Sequence, residues 1–262
     1  MPPIYAIGDI HGQKGMLDRA LALVTADGGD DAKIVFLGDY TDRGPDSRAV
    51  IDTLIAERDA GRDWVFIKGN HDRSFTHFVR HGRQHDPRVT SGINWLNPRL
   101  GGTATLASYG IKGVMHFARD HVDGREILEA FEGPDGDIDA EELQQMALAA
   151  VPSAHLDFLD ALPLWFETDD LLFVHAGLRP GVPIDRQDPE DLIWIREPFL
   201  TSEHDFGKLI VHGHTALDYP QHFGNRIDLD GGAGYHRPLI PAVFEGRDCW
   251  LLTDKGRAPL IP

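Results

Sequence analysis

Near its start the chain reads Ile4-Tyr5-Ala6-Ile7-Gly8-Asp9-Ile10-His11-Gly12, an apolar run that stops at a glycine and passes into Asp and His. Short apolar runs that end in glycine predict buried strands. Two further runs, residues 33–37 and 64–67, also lead into glycine and polar residues. Between the three runs, residues 16–24 and 47–60 carry apolar side chains at helical spacing. This β-α alternation predicts parallel strands with helices packed outside them.

The rest of the chain has a different pattern. Residues of about 82–152 begin with turn-rich pieces and continue with acidic segments, of which 125–131 and 141–151 are predicted helical, so we expect a helical or loop insertion that forms a cap. The run 135–142 predicts a solvated helix start with Asp139 as its N-cap. After Pro163 six β-rich runs follow, and their alternation predicts a second sheet that is mixed or antiparallel. They are residues 164–167, 171–175, 209–212, 226–229, 240–244 and 249–253.

The amino-acid composition limits the classes of binding partner that the protein is expected to have. The 262 residues include 25 Lys and Arg against 42 Asp and Glu, a formal net charge of −17. Nucleic acid and anionic membranes attract cationic surfaces, so neither is an expected partner. The single cysteine, Cys249, cannot form an intramolecular disulfide, and no apolar run is long enough to span a bilayer. A cytoplasmic protein with one domain over residues 1–262 is the expectation, and its oligomeric state stays open.

Polar clusters follow several of the predicted strands. Parallel strands bring their carboxyl ends to one edge of a sheet, so the clusters after the first three runs, at residues 8–12, 38–44 and 69–72, are expected to converge. Asp, His and Asn supply the oxygen and nitrogen donors that divalent transition metals accept. The donors exceed what one tetrahedral ion needs, which favours two ions that share a carboxylate. The clusters are residues 8–12, 38–44, 69–72, 175–177 and 212–214.

These five motifs, in this order, resemble the phosphoprotein phosphatases within the calcineurin-like metallophosphoesterases, and in particular bacterial proteins similar to serine/threonine phosphatases. The resemblance covers nearly the whole chain. It implies an α/β fold in which two mixed β-sheets face each other and are flanked by helices, with the metals at one edge. It also implies two divalent metal ions, with manganese expected and iron, zinc or cobalt as alternatives.

The resemblance also assigns roles to single residues. It implies that Asp9 and His11 hold one metal ion and that Asp39 bridges both ions. The second ion is completed by three further ligands, which are Asn70, His175 and His214. His212 is expected beside the ligands rather than among them.

For catalysis and substrate binding, the resemblance implies that His71 is the general acid and that Asp42 fixes its tautomer. Arg43 and Arg196 would bind the phosphoryl oxygens, because a guanidinium group binds two oxygens at once. An ion pair with Glu197 is the alternative role for Arg196. The residues leave open whether Tyr235 lies over the site or only in a turn.

The implied reaction is hydrolysis of a phosphoester by a hydroxide that bridges the two metals, without a covalent phosphoenzyme. Residues 38–44 resemble protein phosphatases, so phosphoserine, phosphothreonine or phosphotyrosine on proteins is the expected substrate. Pro45 occurs in both bacterial branches, so a symmetric diadenosine tetraphosphate hydrolase is the alternative. A non-catalytic binding module is the third hypothesis, and it would lack a ligand or the acid. None of the expected residues is missing.

Overall fold

Three β-sheets organise the computed structural model, which describes residues 2–134 and 136–262. The strands are β1 Ile4–Ile7, β2 Lys33–Phe36, β3 Trp64–Phe66, β4 Val114–Arg119, β5 Glu126–Gly133, β6 Gly136–Ile138, β7 Trp165–Glu167, β8 Leu171–Val174, β9 Leu209–His212, β10 Gln221–His222, β11 Arg226–Asp228, β12 Ala242–Glu245, β13 Asp248–Thr253 and β14 Gly256–Pro259. The α-helices are α1 Lys14–Gly28, α2 Ser47–Asp59, α3 Asn70–His81, α4 Gly102–Ser108, α5 Ala140–Ala150, α6 Ser153–Asp160 and α7 Pro189–Trp194. None of the helices in the described residues is long and apolar enough to cross a membrane.

The first sheet has six strands in the order β14-β13-β12-β1-β2-β3. Strands β1, β2 and β3 are parallel, as the β-α alternation predicted. Strand β12 pairs antiparallel with β1, and β13 and β14 continue the sheet outward. The prediction that residues 240–244 and 249–253 join the second sheet is therefore wrong. Strand β12 pairs with the edge of β1 that does not pair with β2, and β13 pairs with β12.

The second sheet has five strands in the order β10-β11-β9-β8-β7 and is mixed, as predicted. Strands β8, β9 and β11 are parallel, and β7 and β10 pair antiparallel at its two edges. The expected α/β architecture with two mixed sheets and flanking helices is confirmed.

Strand β1 shows how the layers form, because its side chains alternate between two cores. Tyr5 and Ile7 pack towards α1 and α2, while Ile4 and Ala6 pack against the second sheet. Every residue of β1 is buried, as expected for a strand covered on both faces. Cys249 belongs to the core between the sheets, and burial raises the pKa of its thiol to about 12, which keeps it unreactive.

The inserted segment, residues 82–152, differs in part from its prediction. It contains α4 and α5, but β4, β5 and β6 form a third sheet, so the helix expected over 125–131 is wrong. Leu128 and Phe131 are buried and lie three residues apart, a spacing typical of helices. The register shifts between His116 and Phe117, which leaves Glu129 as an extra residue in β5. This bulge turns Leu128 and Phe131 to the same face.

The N-cap of α5 agrees with its prediction. The carboxylate of Asp139 accepts hydrogen bonds from the backbone N–H groups of Glu141 and Glu142, both at 2.9 Å. Asp135, at the start of that predicted acidic run, lies outside the described residues.

Candidate metal centre and active site

Five strand ends meet at one edge of the two sheets. The loops after β1, β2 and β3 come from the first sheet, and the loops after β8 and β9 come from the second. Because the strands within each set are parallel, their carboxyl ends lie on the same side. The structure thereby brings together all the predicted metal-ligand candidates, which are Asp9, His11, Asp39, Asn70, His175 and His214.

The loops hold an unusual backbone. Six non-glycine residues in the described chain have positive φ, and five of them are candidate site residues: His11 at 48°, Asp39 at 53°, Asp42 at 72°, Arg43 at 65° and His214 at 68°. Such conformations are costly for residues with a side chain and concentrate at functional sites. The strain therefore points to the same residues as the motifs.

Asp39 lies between two groups of histidines. Its Oδ1 accepts a hydrogen bond from the backbone nitrogen of His71 at 2.9 Å. Its Oδ2 is 3.7 Å from His11 Nε2 and 3.5 Å from His175 Nε2. Potential ligand atoms lie within 4.8 Å of one another in two sets, one of Asp39 with His11 and His71 and one of Asp39 with His175 and His214. A carboxylate common to two such sets is what two neighbouring ions would share.

The other two oxygen donors lie beside these sets. One carboxylate oxygen of Asp9 lies 3.9 Å from His11 Nε2. Both carboxylate oxygens of Asp9 accept hydrogen bonds from the backbone nitrogen of His214 at 3.2 Å. The amide oxygen of Asn70 lies 2.9 Å from His175 Nε2 and 2.9 Å from His214 Nδ1. All these side chains are buried, so water cannot replace a missing partner freely.

Two of the histidines are oriented for metal binding. His11 Nδ1 lies 2.8 Å from the carbonyl oxygen of Thr41, and His175 Nδ1 lies 2.8 Å from that of Leu37. A carbonyl oxygen can only accept, so each Nδ1 carries the hydrogen and each Nε2 keeps its lone pair. Metal-binding histidines are characteristically held in this way. The Nε2 of His11 accepts from Arg43 Nη1 at 2.6 Å, and that of His175 lies 2.9 Å from the amide oxygen of Asn70. The Nε2 atom of His214 is buried and has no hydrogen-bond partner among the residues that the structure describes, so this ring also has a spare nitrogen.

The charges fit a cation site. Burial lowers the pKa of His11, His175 and His214, so the rings are neutral at pH 7, the form that binds metals. Burial favours the neutral form of Asp39, but attraction to His175, His71 and His11 in their protonated forms, with the backbone hydrogen bond from His71, holds the pKa of Asp39 down at about 2. Burial and then the charges of Asp230 and Asp39 raise the pKa of Asp9 well above its ordinary value. A bound cation would offset this crowding of carboxylates.

His71 and Asp42 form a buried pair. His71 Nδ1 lies 2.7 Å from Asp42 Oδ2, so this nitrogen donates to the carboxylate. The other ring nitrogen, Nε2, lies 3.2 Å from Arg43 Nη2 on the cavity side. His71 can therefore present Nε2 either to a metal or to a leaving group, and the distances alone allow both.

A cavity of about 600 Å³ opens beside these side chains. Both predicted phosphate-binding residues, Arg43 and Arg196, line it. Arg196 is exposed and, among the described residues, makes no ion pair, so the alternative pairing with Glu197 is not observed. The ring of Tyr235 lies 4.8 Å from the Arg43 guanidinium and forms part of the wall, next to the site rather than only in a turn. The inserted segment supplies about half of the residues that line the cavity.

His212 is outside the group. Its Nε2 lies 3.1 Å from the buried Arg226, and burial lowers its pKa to about 3. It is thus a neutral residue behind His214, as expected.

Sequence reasoning missed the part played by Asp72. Its buried carboxylate accepts hydrogen bonds from the backbone nitrogens of Asp39, Tyr40, Thr41 and Gly69 at 2.8–3.3 Å, and from the Thr41 hydroxyl. It therefore ties the loop after β2 to the start of α3. The sequence feature that could have indicated this role is the position of Asp72 in the motif of residues 69–72, directly after Asn70 and His71.

Sequence reasoning also gave no role to Trp95 and Thr105 of the inserted segment. Trp95 Nε1 donates to Asp42 Oδ2 at 2.7 Å, and the Thr105 hydroxyl donates to Asp42 Oδ1 at 2.7 Å. No local pattern could have revealed these contacts, since 53 and 63 residues separate the partners.

Comparisons with known proteins add a family and several relatives. A family profile described as calcineurin-like phosphoesterase matches residues 2–238. The asymmetrical bis(5'-nucleosyl)-tetraphosphatase of Anoxybacillus flavithermus is 25% identical over 251 residues, which cover 86% of this chain and 84% of that protein.

Two crystal structures share the fold. One, described as "a putative diadenosine tetraphosphatase", has a TM-score of 0.61 and 20% identity, covering 99% of this chain and 94% of the other. The second is the cold-active protein-tyrosine phosphatase of a psychrophilic Shewanella species. It has a TM-score of 0.56 and 15% identity, covering 100% of this chain and 81% of the other. At these identities, the two structures are evidence for a common fold.

Proposed function

Because the chain belongs to the calcineurin-like phosphoesterase family of dinuclear metal-dependent hydrolases, as its motifs predicted, we propose that it hydrolyses the polyphosphate chain of bis(5'-nucleosyl) tetraphosphates. The proposal reverses the order of the two substrate classes that the motifs favoured. Two observations support the change: the charge of the cavity, and a relative aligned over 86% of this chain that is named as a bis(5'-nucleosyl)-tetraphosphatase.

The proposed metal ligands are the six side chains at the strand ends. Asp9 and His11 hold one ion, Asn70, His175 and His214 hold the other, and Asp39 is shared. The neutral, oriented imidazoles and the excess of buried carboxylate support this assignment. Manganese is the proposed metal, because oxygen and imidazole donors suit it. When bound, two such ions activate water and withdraw charge from the phosphoryl group.

His71 is the proposed general acid, and Asp42 is its orienting partner. The hydrogen bond between them leaves Nε2 of His71 facing the cavity. There the ring can give a proton to the leaving oxygen of the phosphoryl group. Arg43, whose Nη2 is 3.2 Å from the same Nε2, is the proposed ligand of the phosphoryl oxygens.

The observation that carries the substrate class is the charge of the cavity. Arg43, Arg99 and Arg196 line it, and none of the three pairs with a carboxylate among the described residues. The chain as a whole has a net charge of −17, so acids to neutralise them are abundant. A phosphomonoester carries only about −1.5 to −2 at neutral pH. Two metal ions and three free guanidinium groups match a chain of several phosphates better.

The shape of the cavity also supports a nucleotide. Its volume of about 600 Å³ is in the range of small-molecule sites. The rings of Trp194 and Tyr235 line it and offer apolar faces on which a base can stack. In this proposal the whole chain is one domain, and the inserted segment is a cap that shapes the cavity.

A phosphoprotein phosphatase is the second candidate. The sequence motif at residues 38–44 favours a phosphoprotein phosphatase, and the fold is shared with a protein-tyrosine phosphatase. A phosphopeptide would use Arg43 and Arg196 but would leave Arg99 without a partner. The two candidates therefore differ in how much of the cavity they engage.

The decisive experiment compares substrates on the purified protein with Mn²⁺ and with a chelated control. Diadenosine tetraphosphate is offered beside phosphoserine, phosphothreonine and phosphotyrosine peptides at equal concentration, and kcat/KM is measured for each. We expect a higher kcat/KM on the dinucleotide, and no turnover with the chelator. Higher values on the peptides would overturn the substrate class, and turnover that survives chelation would overturn the metal mechanism.

The products identify the bond that is cleaved. ATP with AMP indicates asymmetric cleavage, whereas two molecules of ADP indicate the symmetric cleavage that the motifs suggested. An Asp39→Asn variant, assayed in parallel, excludes a contaminating hydrolase, because it is expected to lose activity on every substrate.

A further inference from the structure

Asp42 receives side-chain hydrogen bonds from three different residues. His71 Nδ1 and Trp95 Nε1 both lie 2.7 Å from Oδ2, and the Thr105 hydroxyl lies 2.7 Å from Oδ1. Asp42 and Thr105 are fully buried, and Trp95 is 3% exposed. Two of the three donors thus come from the inserted segment.

We propose that Trp95 and Thr105 are positioning residues that hold Asp42, and through it His71, in the orientation needed for proton donation. The inference rests on the proposed function, since it takes His71 as the general acid. It gives the inserted segment a part in catalysis in addition to its place in the cavity wall.

The terminal torsion of an aspartate is soft, so a carboxylate with a single partner can rotate. Donors on both oxygens fix its plane. Oδ2 is shared by His71 and Trp95, so the Trp95 N–H restricts where the imidazole N–H can point. A small tilt of the ring would move Nε2 away from the leaving oxygen, and a misplacement of about 1 Å costs roughly 10²-fold in rate.

The contact of Trp95 is more than packing. Its ring already packs against Phe78 and Phe75, at centroid distances of 5.0 and 6.0 Å. It also lies against Gly102, where an added Cβ would come within 2.5 Å of it. A phenylalanine would serve that packing, but only tryptophan brings an N–H to Asp42.

Thr105 contacts Asp42 twice. Its hydroxyl donates to Oδ1 and accepts from the backbone nitrogen of Asp42 at 2.8 Å. Nearby, the Arg43 nitrogen donates to the Gly101 carbonyl at 3.3 Å, and the Arg48 nitrogen donates to the Ser108 hydroxyl at 3.1 Å. Helix α4 is therefore bound along its length to the loop that carries Asp42 and to the start of α2.

The step that this arrangement serves is proton transfer during hydrolysis. An oxygen from water bonds to phosphorus, and the bond from phosphorus to the leaving oxygen breaks. The leaving oxygen takes the proton from His71 Nε2. A proton released from the attacking water then returns His71 to its protonated state. A poor leaving group depends on that proton, whereas a good one departs without it.

The test uses Trp95→Phe and Thr105→Val with a series of phosphate monoesters that differ only in the leaving group. For an alkyl phosphate we expect kcat to fall about 10²-fold, with KM little changed. For p-nitrophenyl phosphate, kcat should stay within about threefold of the wild type, because p-nitrophenolate leaves readily. An equal loss on both esters, or no loss, would overturn the proposal.

Two control variants come from the same region. Tyr109→Phe removes a buried hydroxyl that lies 2.9 Å from His155 Nδ1 and does not contact Asp42. Thr105→Ser keeps the hydroxyl. Both should keep the wild-type dependence on the leaving group, and a steeper dependence in either, like that expected of Trp95→Phe, would overturn the proposal.

A second readout is independent of activity. In protein labelled with ¹⁵N at histidine, the Nδ1–H resonance of His71 is assigned by its absence in His71→Asn. This Nδ1–H resonance should be present in the wild type and both controls. In Trp95→Phe and Thr105→Val it should be shifted, or lost through exchange of the proton with solvent. An unchanged resonance in those two variants would overturn the inference. Wild-type protein that hydrolyses neither diadenosine tetraphosphate nor any phosphate monoester would instead refute the proposed function, which keeps the two failures distinct.

Discussion

One added methyl group at Gly69 should disable the candidate metal centre. A Cβ at this position would lie 2.1 Å from Oδ1 of Asp39 and 2.3 Å from its backbone nitrogen, whereas ordinary contact begins near 3.4 Å. The backbone of Gly69, with φ of −95° and ψ of 168°, suits alanine, so the effect is steric alone. Relief of the overlap requires the loop after β2 to move by roughly 1 Å.

The size of the effect follows from what moves. Overpacking of this kind costs about 1–3 kcal/mol of stability. Asp39 belongs to both sets of potential ligands, so its displacement weakens both. We expect Gly69→Ala to retain its fold, to bind less metal and to lose about 10²-fold in kcat/KM, the typical cost of a 1 Å misplacement.

Gly15→Ala is the matched control. Gly15 lies in α1, and beyond its chain neighbours and the adjacent helix backbone a Cβ there would meet no atom of the described residues within 4 Å. This change should leave activity unaltered and alter stability by less than about 1 kcal/mol, in the stabilising direction. Urea unfolding, metal content by mass spectrometry and kcat/KM are measured for both variants. If Gly69→Ala keeps its metal and its turnover within about threefold of the wild type, the reasoning about Asp39 is refuted.

Four further variants test other parts of the site and the fold. Asp39→Asn should lose bound metal without unfolding, and retention of two ions would mean that the bridging ligand lies elsewhere. His71→Asn should keep its metal but lose at least about 10²-fold in turnover, the usual size of a general-acid contribution, and metal loss would count against that role. Arg99→Gln should lower kcat/KM for diadenosine tetraphosphate about tenfold and leave p-nitrophenyl phosphate unaffected, while Arg83→Gln, an exposed control, should change neither. Burial lowers the pKa of His155, so the unfolded chain binds its proton more readily and stability falls as the pH drops below about 6.5. Urea unfolding of His155→Gln at pH 7 and pH 5 should show a smaller loss than the wild type, and an equal loss would contradict this.

The first half of the fold was predictable because its signals are local. Strand β1 is fully buried, β2 is nearly so and β3 is partly buried, and all three appear in the sequence as short apolar runs that lead into glycine. The convergence of the first three polar clusters followed from parallel pairing alone. That geometry needs no knowledge of side-chain contacts, so these clusters could be placed together in advance, whereas the individual ligand roles came from the resemblance to a known family.

The remaining features depend on contacts between distant residues. Residues 240–244 look equally suited to either sheet, and only the free edge of β1 decides where they pair. In β5, the bulge at Glu129 converts a helical spacing into one face of a strand. The hydrogen bonds from Trp95 and Thr105 to Asp42 likewise exist only once the inserted segment has docked.

The docking of the inserted segment also helps to hold the strained loops in their conformation. Five candidate site residues have positive φ, at a cost of about 1–3 kcal/mol each, which is a large share of the ~5–15 kcal/mol by which a domain is stable. Such a backbone must be held from several sides. Asp72 supplies four backbone N–H groups with an acceptor, and Gly101 and Thr105 bind the backbone of Arg43 and Asp42 from the opposite side. The loop after β2 is therefore clamped between α3 and the inserted segment. Removal of either clamp would let its residues relax to ordinary conformations, and this relaxation would move Asp39 and Asp42 together. We conclude that the inserted segment is linked to both the metal centre and the proton donor through one strained loop.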